Sequence, residues 1–417
     1  MSSSISRRSI LFAGIGAVSA IHADSVRIPA SIAKLRKMTD GVQPITQAER
    51  DARMEKARKL MHENGLRAIV CEGGSSMFYF TGVRWDPIGF PLVLILPIDG
   101  KPVWVADRQQ ADRFHGLLAP HSELRTWSDD SARGKTVAQA LADLSAGLGP
   151  IGMEERARFL VFDAIRKAAP QTQIASADPV TAGCRMIKSS AEIALLQRAN
   201  MITLAAYRAA FATLTEGMTE VELKAIIAAA YQALGVEGSA SVMFGQYTAY
   251  PHGSVQPQKL REGDLVLMDD GCSLEGYKSD VTRTAIFGKP TPRQREVWSL
   301  ERKAQDAALA AAQPGATCES VDAAARKVIV DAGFGPGFRL PGLPHRTGHG
   351  IGLDIHEWTY LVPGNRTRIQ PGMCFSDEPT ISIYGEFGVR LEDCMHITED
   401  GARMFTPQSP AIDRPFA

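Results

Sequence analysis

The stretch GDLVLMDDGCSLEGYKSDVTRT, residues 263–284, is the part of the chain from which the fold and chemistry can be inferred. It opens with the apolar run Leu265–Met268, which has the length of a buried strand. A turn containing glycine follows, and then Tyr277–Thr282, whose valine and threonine favour a second strand. Such a hairpin would return Asp280 to the neighbourhood of Asp269. Because ionised carboxylates beside a buried strand are costly unless they are paired or bind a cation, we interpret the two aspartates as half of a metal site.

Length and composition predict a globular protein of two or more domains. The chain has 417 residues, of which 45% are hydrophobic and 22% are charged, an ordinary balance for folded domains. Lysine plus arginine, at 46, equals aspartate plus glutamate, at 46. With no net charge and no basic run along one face, nothing indicates a nucleic-acid partner. A small polar or peptide substrate fits this balance better than a polyanion does.

The first residues have the pattern of a targeting segment. Arg7 and Arg8 precede the apolar run Ile10–Ala20, and small residues after it offer candidate cleavage sites. The arginine pair resembles a twin-arginine export signal, which predicts a periplasmic or otherwise exported protein. Because the apolar run is too short for an ordinary membrane span, no stable membrane anchor is expected. We therefore assign residues 1–23 to a signal peptide and residues 24–44 to a lead-in.

The six cysteines do not suggest a redox or zinc motif, since no Cys-x-x-Cys pair is present. Signals of the twin-arginine type are those of proteins that are exported already folded. Such a protein folds in the cytosol, which keeps thiols reduced. We therefore expect mostly buried free thiols. Cys374 and Cys394 are the one pair worth checking, because both fall on predicted neighbouring strands.

Residues 45–182 are predicted to form an α/β domain, because strand and helix patterns alternate along them. The first helix, 46–64, begins with a capping box made by Thr46 and Glu49. Further elements are predicted as strands at 66–71, 77–80, 90–96 and 102–106 and as helices near 108–117, 135–146 and 155–168. The domain has no cluster of potential metal ligands.

Residues 183–417 contain an internal repeat with an offset of 98 residues. In each copy a threonine starts a helix between two glycines, at Gly217, Thr219 and Gly235 and again at Gly315, Thr317 and Gly333. The same offset carries Asp280 onto Glu378. The repeat predicts a pseudo-symmetric domain with a site at the junction of its halves.

Further potential ligands follow in the second copy. The stretches 375–379 and 388–393 each place carboxylates near a β-type run, and the stretch 345–352, HRTGHGIG, supplies histidine among glycines that allow close backbone approach. Four carboxylates and one imidazole can hold two divalent cations about 3.5–4 Å apart. Oxygen-rich ligation favours manganese, although cobalt, iron or zinc fit the same set.

Taken together, these motifs resemble the creatinase, aminopeptidase P and prolidase family of pita-bread metallopeptidases. The resemblance covers nearly all of the mature chain. It implies an α/β creatinase-like N-terminal domain followed by an α+β pita-bread catalytic domain with an internal pseudo-two-fold repeat. By this resemblance the metal ligands are Asp269, Asp280, His349, Glu378 and Glu392. The start of the catalytic domain, Arg185–Lys188 with Glu192, is also similar to the family.

Two histidines stand at spacings that the family uses for its substrate site. His252 lies seventeen residues before Asp269, and His356 lies seven residues after His349. The resemblance implies that both histidines stabilise an oxyanion or position the substrate. A single histidine is more often structural, but three at matching spacings favour the functional interpretation.

The resemblance also implies the reaction. Glu378 would act as general base for a water attacking the peptide bond before proline, and Arg390 would orient Glu392 or Asp280. The substrate would be an Xaa-Pro dipeptide or the N-terminus of a longer Xaa-Pro peptide. Thr380 and Ser382 stand where the family usually has glycine and tyrosine, which affects substrate preference rather than metal binding.

Other functions are compatible with parts of this pattern. Methionine aminopeptidases share the ligand set but usually lack the N-terminal domain, and creatinase has both domains but does not keep the ligands. Some pita-bread proteins are non-catalytic binding modules that have lost ligands, whereas this chain keeps all five. Metal content of the purified protein distinguishes an enzyme from a binding module.

The resemblance further implies a homodimer, in which the N-terminal domain borders the active site of the neighbouring subunit. Arg84 and Trp85 offer a cation and a flat aromatic face, which suit a peptide terminus and a proline ring. We expect one of them to reach toward the substrate pocket of the partner.

Overall fold

The computed structural model describes residues 29–86, 90–118, 122–129, 131–144 and 149–416. The segment predicted as a signal peptide, residues 1–23, lies outside these ranges. Among the helices in the described ranges, none is long and apolar enough to cross a membrane.

The N-terminal part of the chain alternates helices and strands, as predicted. Its helices are α1 (Ala30–Ala33), α2 (Gln47–Glu63), α3 (Ser75–Thr81), α4 (Ala111–His115), α5 (Arg133–Asp143), α6 (Phe159–Ala168) and α7 (Asp178–Met186). Its strands are β1 (Ala68–Glu72), β2 (Leu92–Pro97), β3 (Val103–Asp107), β4 (Glu123–Trp127), β5 (Ile151–Met153) and β6 (Ile174–Ser176).

The strands β1 to β6 form one mixed sheet in the order β4-β3-β2-β1-β5-β6. Strand β2 runs antiparallel to both of its neighbours, whereas the outer pairs are parallel. Side chains of a strand alternate between faces, so Ile69 and Cys71 join one core while Ala68 and Val70 join another. The first core continues into the C-terminal part through residues such as Tyr277, so the two parts of the chain share a hydrophobic interior.

The strand predicted at residues 77–80 is wrong, because these residues belong to helix α3. The helix follows Gly74 and ends at Gly82, whose left-handed φ of 77° is typical of a helix C-terminus. Most of the helix is buried. A short apolar run of this length has the same sequence pattern in a buried strand and in a buried helix.

The C-terminal part contains four long helices and several small antiparallel sheets within the described residues. The helices are α8 (Ser190–Phe211), α9 (Glu220–Leu234), α10 (Pro292–Ala311) and α11 (Cys318–Asp331). The first strands are β7 (Glu237–Gly238), β8 (Ser241–Phe244), β9 (Leu265–Asp269), β10 (Cys272–Leu274), β11 (Tyr277–Lys278) and β12 (Arg283–Ile286). The later strands are β13 (Gly348–Gly350), β14 (Glu357–Leu361), β15 (Cys374–Asp377), β16 (Thr380–Ile383), β17 (Phe387–Arg390), β18 (Asp393–Thr398) and β19 (Gly401–Met404).

The predicted hairpin has the right first strand but the wrong partner. Strand β11 pairs with β10, residues 279–282 leave the ladder, and β9 pairs with β12, where Met268 lies opposite Arg283. Ser279 keeps one backbone bond, from its N–H to the Cys272 carbonyl at 3.1 Å, while the backbone N–H of Cys272 donates to the Ser279 hydroxyl at 2.8 Å instead of to a backbone carbonyl. Asp280 therefore lies on an irregular segment between two strands.

The internal repeat is present in both helices and strands. Thr219 and Thr317 are the N-caps of α9 and α11, at the predicted offset. The group β12-β9-β8 corresponds to the group β18-β15-β13, which belongs to a five-stranded sheet that also includes β14 and β19. All pairings within both groups are antiparallel. The pseudo-two-fold architecture is thus confirmed.

The strands do not keep the offset of the helices. Met268 lies opposite Arg283 in the first group, and Asp377 lies opposite Asp393 in the second. Glu378 therefore corresponds to Asp269, and its predicted correspondence with Asp280 is wrong. The physical reason is a longer connection from α11 to β13, residues 332–347, than from α9 to β8, residues 235–240.

All six cysteines are buried free thiols, as expected. Cys374 lies opposite His396 and Cys394 lies opposite Ser376 on the paired strands β15 and β18, so the two cysteines are not cross-strand partners. Burial raises the pKa of Cys374 to about 12, which keeps this thiol protonated and unreactive at neutral pH.

Candidate metal centre

Three of the five predicted ligands form a compact buried cluster. Ligand atoms of Asp280, His349 and Glu392 all lie within 4.8 Å of one another. The Nε2 atom of His349 is 3.5 Å from Asp280 Oδ2 and 3.1 Å from Glu378 Oε1, which brings a fourth predicted ligand to the same imidazole.

The fifth predicted ligand joins the cluster through a threonine. The Oγ1 atom of Thr282 is 2.7 Å from Asp269 Oδ1 and 2.6 Å from Glu392 Oε2. The guanidinium of Arg390 also forms an ion pair with Asp269. All five predicted ligands line one cavity of about 450 Å³.

The surrounding backbone fixes the direction of the imidazole. His349 is the middle residue of β13, and its backbone N–H donates to Ser376 Oγ at 2.9 Å. Its Nδ1 atom donates to the carbonyl of Gly350 at 3.0 Å, so Nε2 is left to face the carboxylates. The Ser376 hydroxyl also donates to Glu378 Oε1 at 3.2 Å, which ties the two predicted ligands together.

The cluster concentrates negative charge in a buried place. Burial raises the pKa of Asp280 to about 7, and the neighbouring Asp269 adds to this rise while the hydrogen bond with His349 opposes it. Burial and the same surrounding carboxylates hold the pKa of Glu392 well above its ordinary value. A bound cation would reverse both effects, because it favours the ionised carboxylates.

The His349 imidazole and the Glu378 carboxylate each stabilise the charged form of the other. Burial lowers the pKa of His349, but its hydrogen bonds with Asp280 and Glu378 outweigh this and raise it to about 10. Burial raises the pKa of Glu378, but the hydrogen bond and charge of His349 hold it below its ordinary value. The imidazolium thus takes the place of a cation among these carboxylates.

The chemistry of this donor set fits divalent metal ions. Four carboxylates and one imidazole nitrogen supply the oxygen and nitrogen ligands that such ions prefer. The Oε1 atom of Glu392 is buried and has no hydrogen-bond partner within the described part of the chain. A buried carboxylate oxygen without a partner is costly, and coordination of a cation would remove that cost.

The structure also places the predicted substrate histidines and arginine at this cavity. His252, His356 and Arg390 are among its lining residues. The rings of His356 and His349 meet edge to face, with centroids 4.3 Å apart. Burial, together with the charge of His349, lowers the pKa of His356 to about 4, so this ring is neutral at pH 7.

Sequence reasoning missed two residues of the cavity and its surroundings. Thr282, the residue directly before β12, bridges two predicted ligands by hydrogen bonds, and its only signal was its place two residues after Asp280. Arg346 lines the cavity and lies over the ring of Tyr360, with Cζ 5.0 Å from the centroid. Its signal was its place inside the HRTGHGIG stretch.

The two departures from the family pattern lie outside the cavity lining within the described residues. Thr380 Oγ1 is 2.9 Å from Nε2 of His345, a partly buried histidine whose own pKa is lowered by desolvation. Ser382 is buried in β16, and its backbone pairs with Gly342 and Gly388. These residues therefore reach the cavity only indirectly, through His345 and the β16–β17 hairpin.

Arg84 and Trp85 line a separate groove at the junction of the two parts of the chain. The guanidinium of Arg84 stacks on Phe78, with Cζ 4.2 Å from the ring centroid. The ring of Trp85 packs against Phe114 at 4.6 Å, and Arg113 covers it with Cζ 4.6 Å from the centroid. The aromatic face that the sequence offered to a proline ring is therefore engaged within its own subunit.

The family of the chain follows from comparison with known proteins. Residues 194–399 match metallopeptidase family M24, and residues 53–187 match the creatinase/prolidase N-terminal domain. The chain belongs to this metallopeptidase family, whose members use divalent metals, and it is a hydrolase.

Individual relatives agree with this assignment. The chain is 30% identical to a Xaa-Pro dipeptidase of Lactobacillus delbrueckii subsp. lactis, over 86% of this chain and 98% of the relative. It is 33% identical to a Xaa-Pro dipeptidase of Pyrococcus horikoshii, over 85% of this chain and 98% of the relative. The crystal structure of dipeptidase PepE from Mycobacterium ulcerans matches with a TM-score of 0.82 and 32% identity, over 89% of this chain and 99% of that chain.

Proposed function

We propose that this chain is a dinuclear metal hydrolase that cleaves the peptide bond before proline in Xaa-Pro dipeptides or peptide N-termini. The observation that carries the proposal is the convergence of four carboxylates and one imidazole on one cavity. Relatives named Xaa-Pro dipeptidase, matched over nearly their whole length, support the substrate. Five residues would hold the metal ions. They are Asp269 and Glu378 at strand ends, Asp280 on its irregular segment, and His349 and Glu392.

When bound, the metal ions would supply Lewis-acid polarisation of the scissile carbonyl and activation of a water molecule. Glu378 is the proposed general base, because its carboxylate borders the cavity among the predicted metal ligands. Its Oε1 atom is held by the Ser376 hydroxyl and the His349 imidazole. These contacts fix the oxygen that would take the proton from water.

The two cavity histidines have different proposed roles. His356 is neutral at pH 7, so its ring can donate a hydrogen bond to the developing oxyanion without a permanent charge. His252 is exposed on the loop Pro251–Gly253 and is suited to position the substrate. Arg390 holds this arrangement together, because it pairs with Asp269 and donates from Nη1 to the Pro251 carbonyl at 3.2 Å.

Substrate length and metal identity are tested by one set of assays. We expect hydrolysis of Xaa-Pro dipeptides after reconstitution with manganese, because two relatives are named Xaa-Pro dipeptidases. If the first residue were released from Xaa-Pro tripeptides and longer peptides as fast as from Xaa-Pro dipeptides, the protein would instead be an aminopeptidase. Parallel reconstitution with cobalt, zinc and iron, with metal counted per chain, identifies the preferred ion. No cleavage of any Xaa-Pro peptide by the metal-loaded protein would contradict the proposal.

We further propose that the protein is exported by the twin-arginine route to the periplasm. The pair Arg7-Arg8 before a short apolar run supports this proposal. Replacement of both arginines by lysine should leave the precursor in the cytoplasm. Unchanged delivery of the double-lysine variant would contradict it.

A further inference from the structure

The segment between β13 and β14, which carries His356, is held by side chains of the N-terminal domain and of residues 185–188, where the catalytic domain begins. Asp354 accepts hydrogen bonds of 2.6 Å from Ser75 Oγ and 2.6 Å from Arg185 Nη2. Next to it, Glu357 forms an ion pair with Arg185 and lies 3.2 Å from the ammonium of Lys188. This segment is therefore anchored on both sides of His356.

Arg156 is the member of this network that reaches His356 itself. It lies in the connection between β5 and α6, at the end of the N-terminal sheet. Its Nη2 atom donates to the backbone carbonyl of His356 at 3.2 Å, and its Nη1 atom is 2.9 Å from Asp354 Oδ1. Arg156 and His356 also line the same space, which adjoins the metal cavity at Asp270.

We propose that Arg156 is a positioning residue for the reaction: it fixes the backbone of His356, so the N-terminal domain sets the geometry of the substrate site in its own subunit. The inference rests on the proposed role of His356 as a group that contacts the substrate. It assigns no contact between Arg156 and the metals or the reacting atoms.

The contacts separate this positioning role from a general structural one. Loss of the Arg156 side chain leaves Asp354 with its hydrogen bonds from Ser75 and Arg185, so the segment keeps its main anchors. Arg156 is 52% exposed, so its removal leaves no buried cavity. The variant loses one of the contacts to Asp354 and the donor to the His356 carbonyl, and we expect the imidazole to gain freedom beside His349.

A double-mutant cycle tests the proposal in the metal-loaded protein with an Xaa-Pro dipeptide. We expect Arg156→Ala to lower kcat/KM by about tenfold, because small displacements of a positioned group are costly to the rate. In a His356→Ala background the same change should cost less than about twofold, because the group it positions is gone. Arg166→Ala is the matched control, since Arg166 is an N-terminal-domain arginine that pairs with Asp163 on its own helix. Arg166→Ala should match the wild type in the wild-type background and match His356→Ala in the His356→Ala background.

A spectroscopic measurement decides the proposal without turnover. Imidazole ¹⁵N and ¹H signals of the zinc-loaded protein are recorded, and those of His356 are identified by their absence in His356→Ala. The proposal expects these signals to shift or broaden in Arg156→Ala and to stay unchanged in Arg166→Ala. Unchanged His356 signals in Arg156→Ala would overturn it, as would an equal loss of rate in both backgrounds of the cycle.

The two measurements keep the proposals distinguishable. If the wild type cleaves no Xaa-Pro peptide, or if His356→Ala is fully active, the proposed function or the role of His356 fails. The imidazole signals then still report whether Arg156 fixes the position of His356.

Discussion

The guanidinium of Arg283 and the carboxylate of Asp393 form an ion pair in the interior, with Nη2 2.7 Å from Oδ1 and both side chains fully buried. The two residues occupy corresponding positions on β12 and β18, so the pair joins the halves of the repeat across the pseudo-two-fold axis. Their neighbours Thr282 and Glu392 exchange backbone hydrogen bonds of 3.2 and 3.1 Å. The axis therefore passes directly beside the candidate metal centre.

Breaking this pair should destabilise the whole catalytic part. We expect Arg283→Met to lower the free energy of unfolding by about 3–5 kcal/mol, because it leaves a buried carboxylate without its counter-charge. Urea unfolding at pH 7 measures the change. The control is Arg295→Met, since Arg295 forms a half-exposed pair with Asp413 that contributes little to stability because water screens it. Equal stability of the two variants would show that the buried pair has no special role.

Removal of a predicted ligand should remove metal and activity together. Asp280→Ala and Glu378→Ala each take one carboxylate from the cavity, and we expect metal content per chain and peptidase activity to fall to background. Elemental analysis after dialysis, alongside the dipeptide assay, measures both. The control is Asp331→Ala. It removes an exposed carboxylate that pairs with Lys327 on α11 and does not line the cavity. A metal-free Asp280→Ala protein with full activity would contradict the proposed function.

The hydroxyl of Thr282 should matter to metal affinity although it is not a predicted ligand. Thr282→Val keeps the shape of the side chain but removes the bridge between Asp269 and Glu392. We expect metal affinity to fall by about 10–100-fold, as is typical when a group that orients a ligand is lost. Competition with a chelating dye measures the affinity. Thr398→Val is the control, because that hydroxyl bonds only to the β18–β19 turn among the described contacts.

The ion pairs of Glu357 should make stability depend on acid pH. Burial raises the pKa of Glu357, but Arg185 and Lys188 outweigh this and lower it to about 2 from an ordinary 4.5. A folded-state pKa below the unfolded value means that this stabilisation is present above pH 4.5 and is lost as the pH falls toward 2. We expect it to amount to about 3 kcal/mol. Urea unfolding between pH 5 and pH 3 should show a shallower pH dependence in Glu357→Gln, and an unchanged slope would contradict this.

The homodimer is a prediction that sedimentation can decide. We expect a dimer in which Arg84, exposed at 57%, reaches toward the neighbouring substrate site. Arg84→Ala should then raise KM more than it lowers kcat, because it weakens binding rather than the chemical step. Trp85→Ala would act partly through packing, since Trp85 contacts Phe114 and Arg113. A fully active monomer would reject the contribution in trans, and unchanged kinetics in a dimer would reject only the role of these residues.

Local sequence patterns predicted the elements that depend on local physical chemistry. The threonine at the start of α9 and the glycines on either side of the helix predicted its position closely, because these signals act within a few residues. The segment around Met77 was misread because a short buried helix and a short buried strand share one apolar pattern. The register of the repeat was misread because the offset of 98 residues holds only for the helices, and the longer connection before β13 shifts the strands that follow it.

The site was predictable in composition but not in its supporting contacts. Residue types and spacings brought Asp269 and His349 to attention, since carboxylates and imidazoles bind metals. The bridge made by Thr282 and the support from Arg156 depend on which strand ends and domains meet in three dimensions. A threonine or an arginine at a loop has no distinctive sequence pattern, so these two contacts were found only in the folded structure.

The exchange of hydrogen bonds between Thr282 and Glu392 has a consequence for how the site is assembled. Asp269 and Asp280 come from one half of the repeat, while the other three predicted ligands come from the other half. Neither half alone encloses the cavity, so a chain cut between β12 and α10 would regain tight metal affinity only when its two fragments recombine. Fragment complementation followed through metal uptake would therefore report the docking of the halves directly.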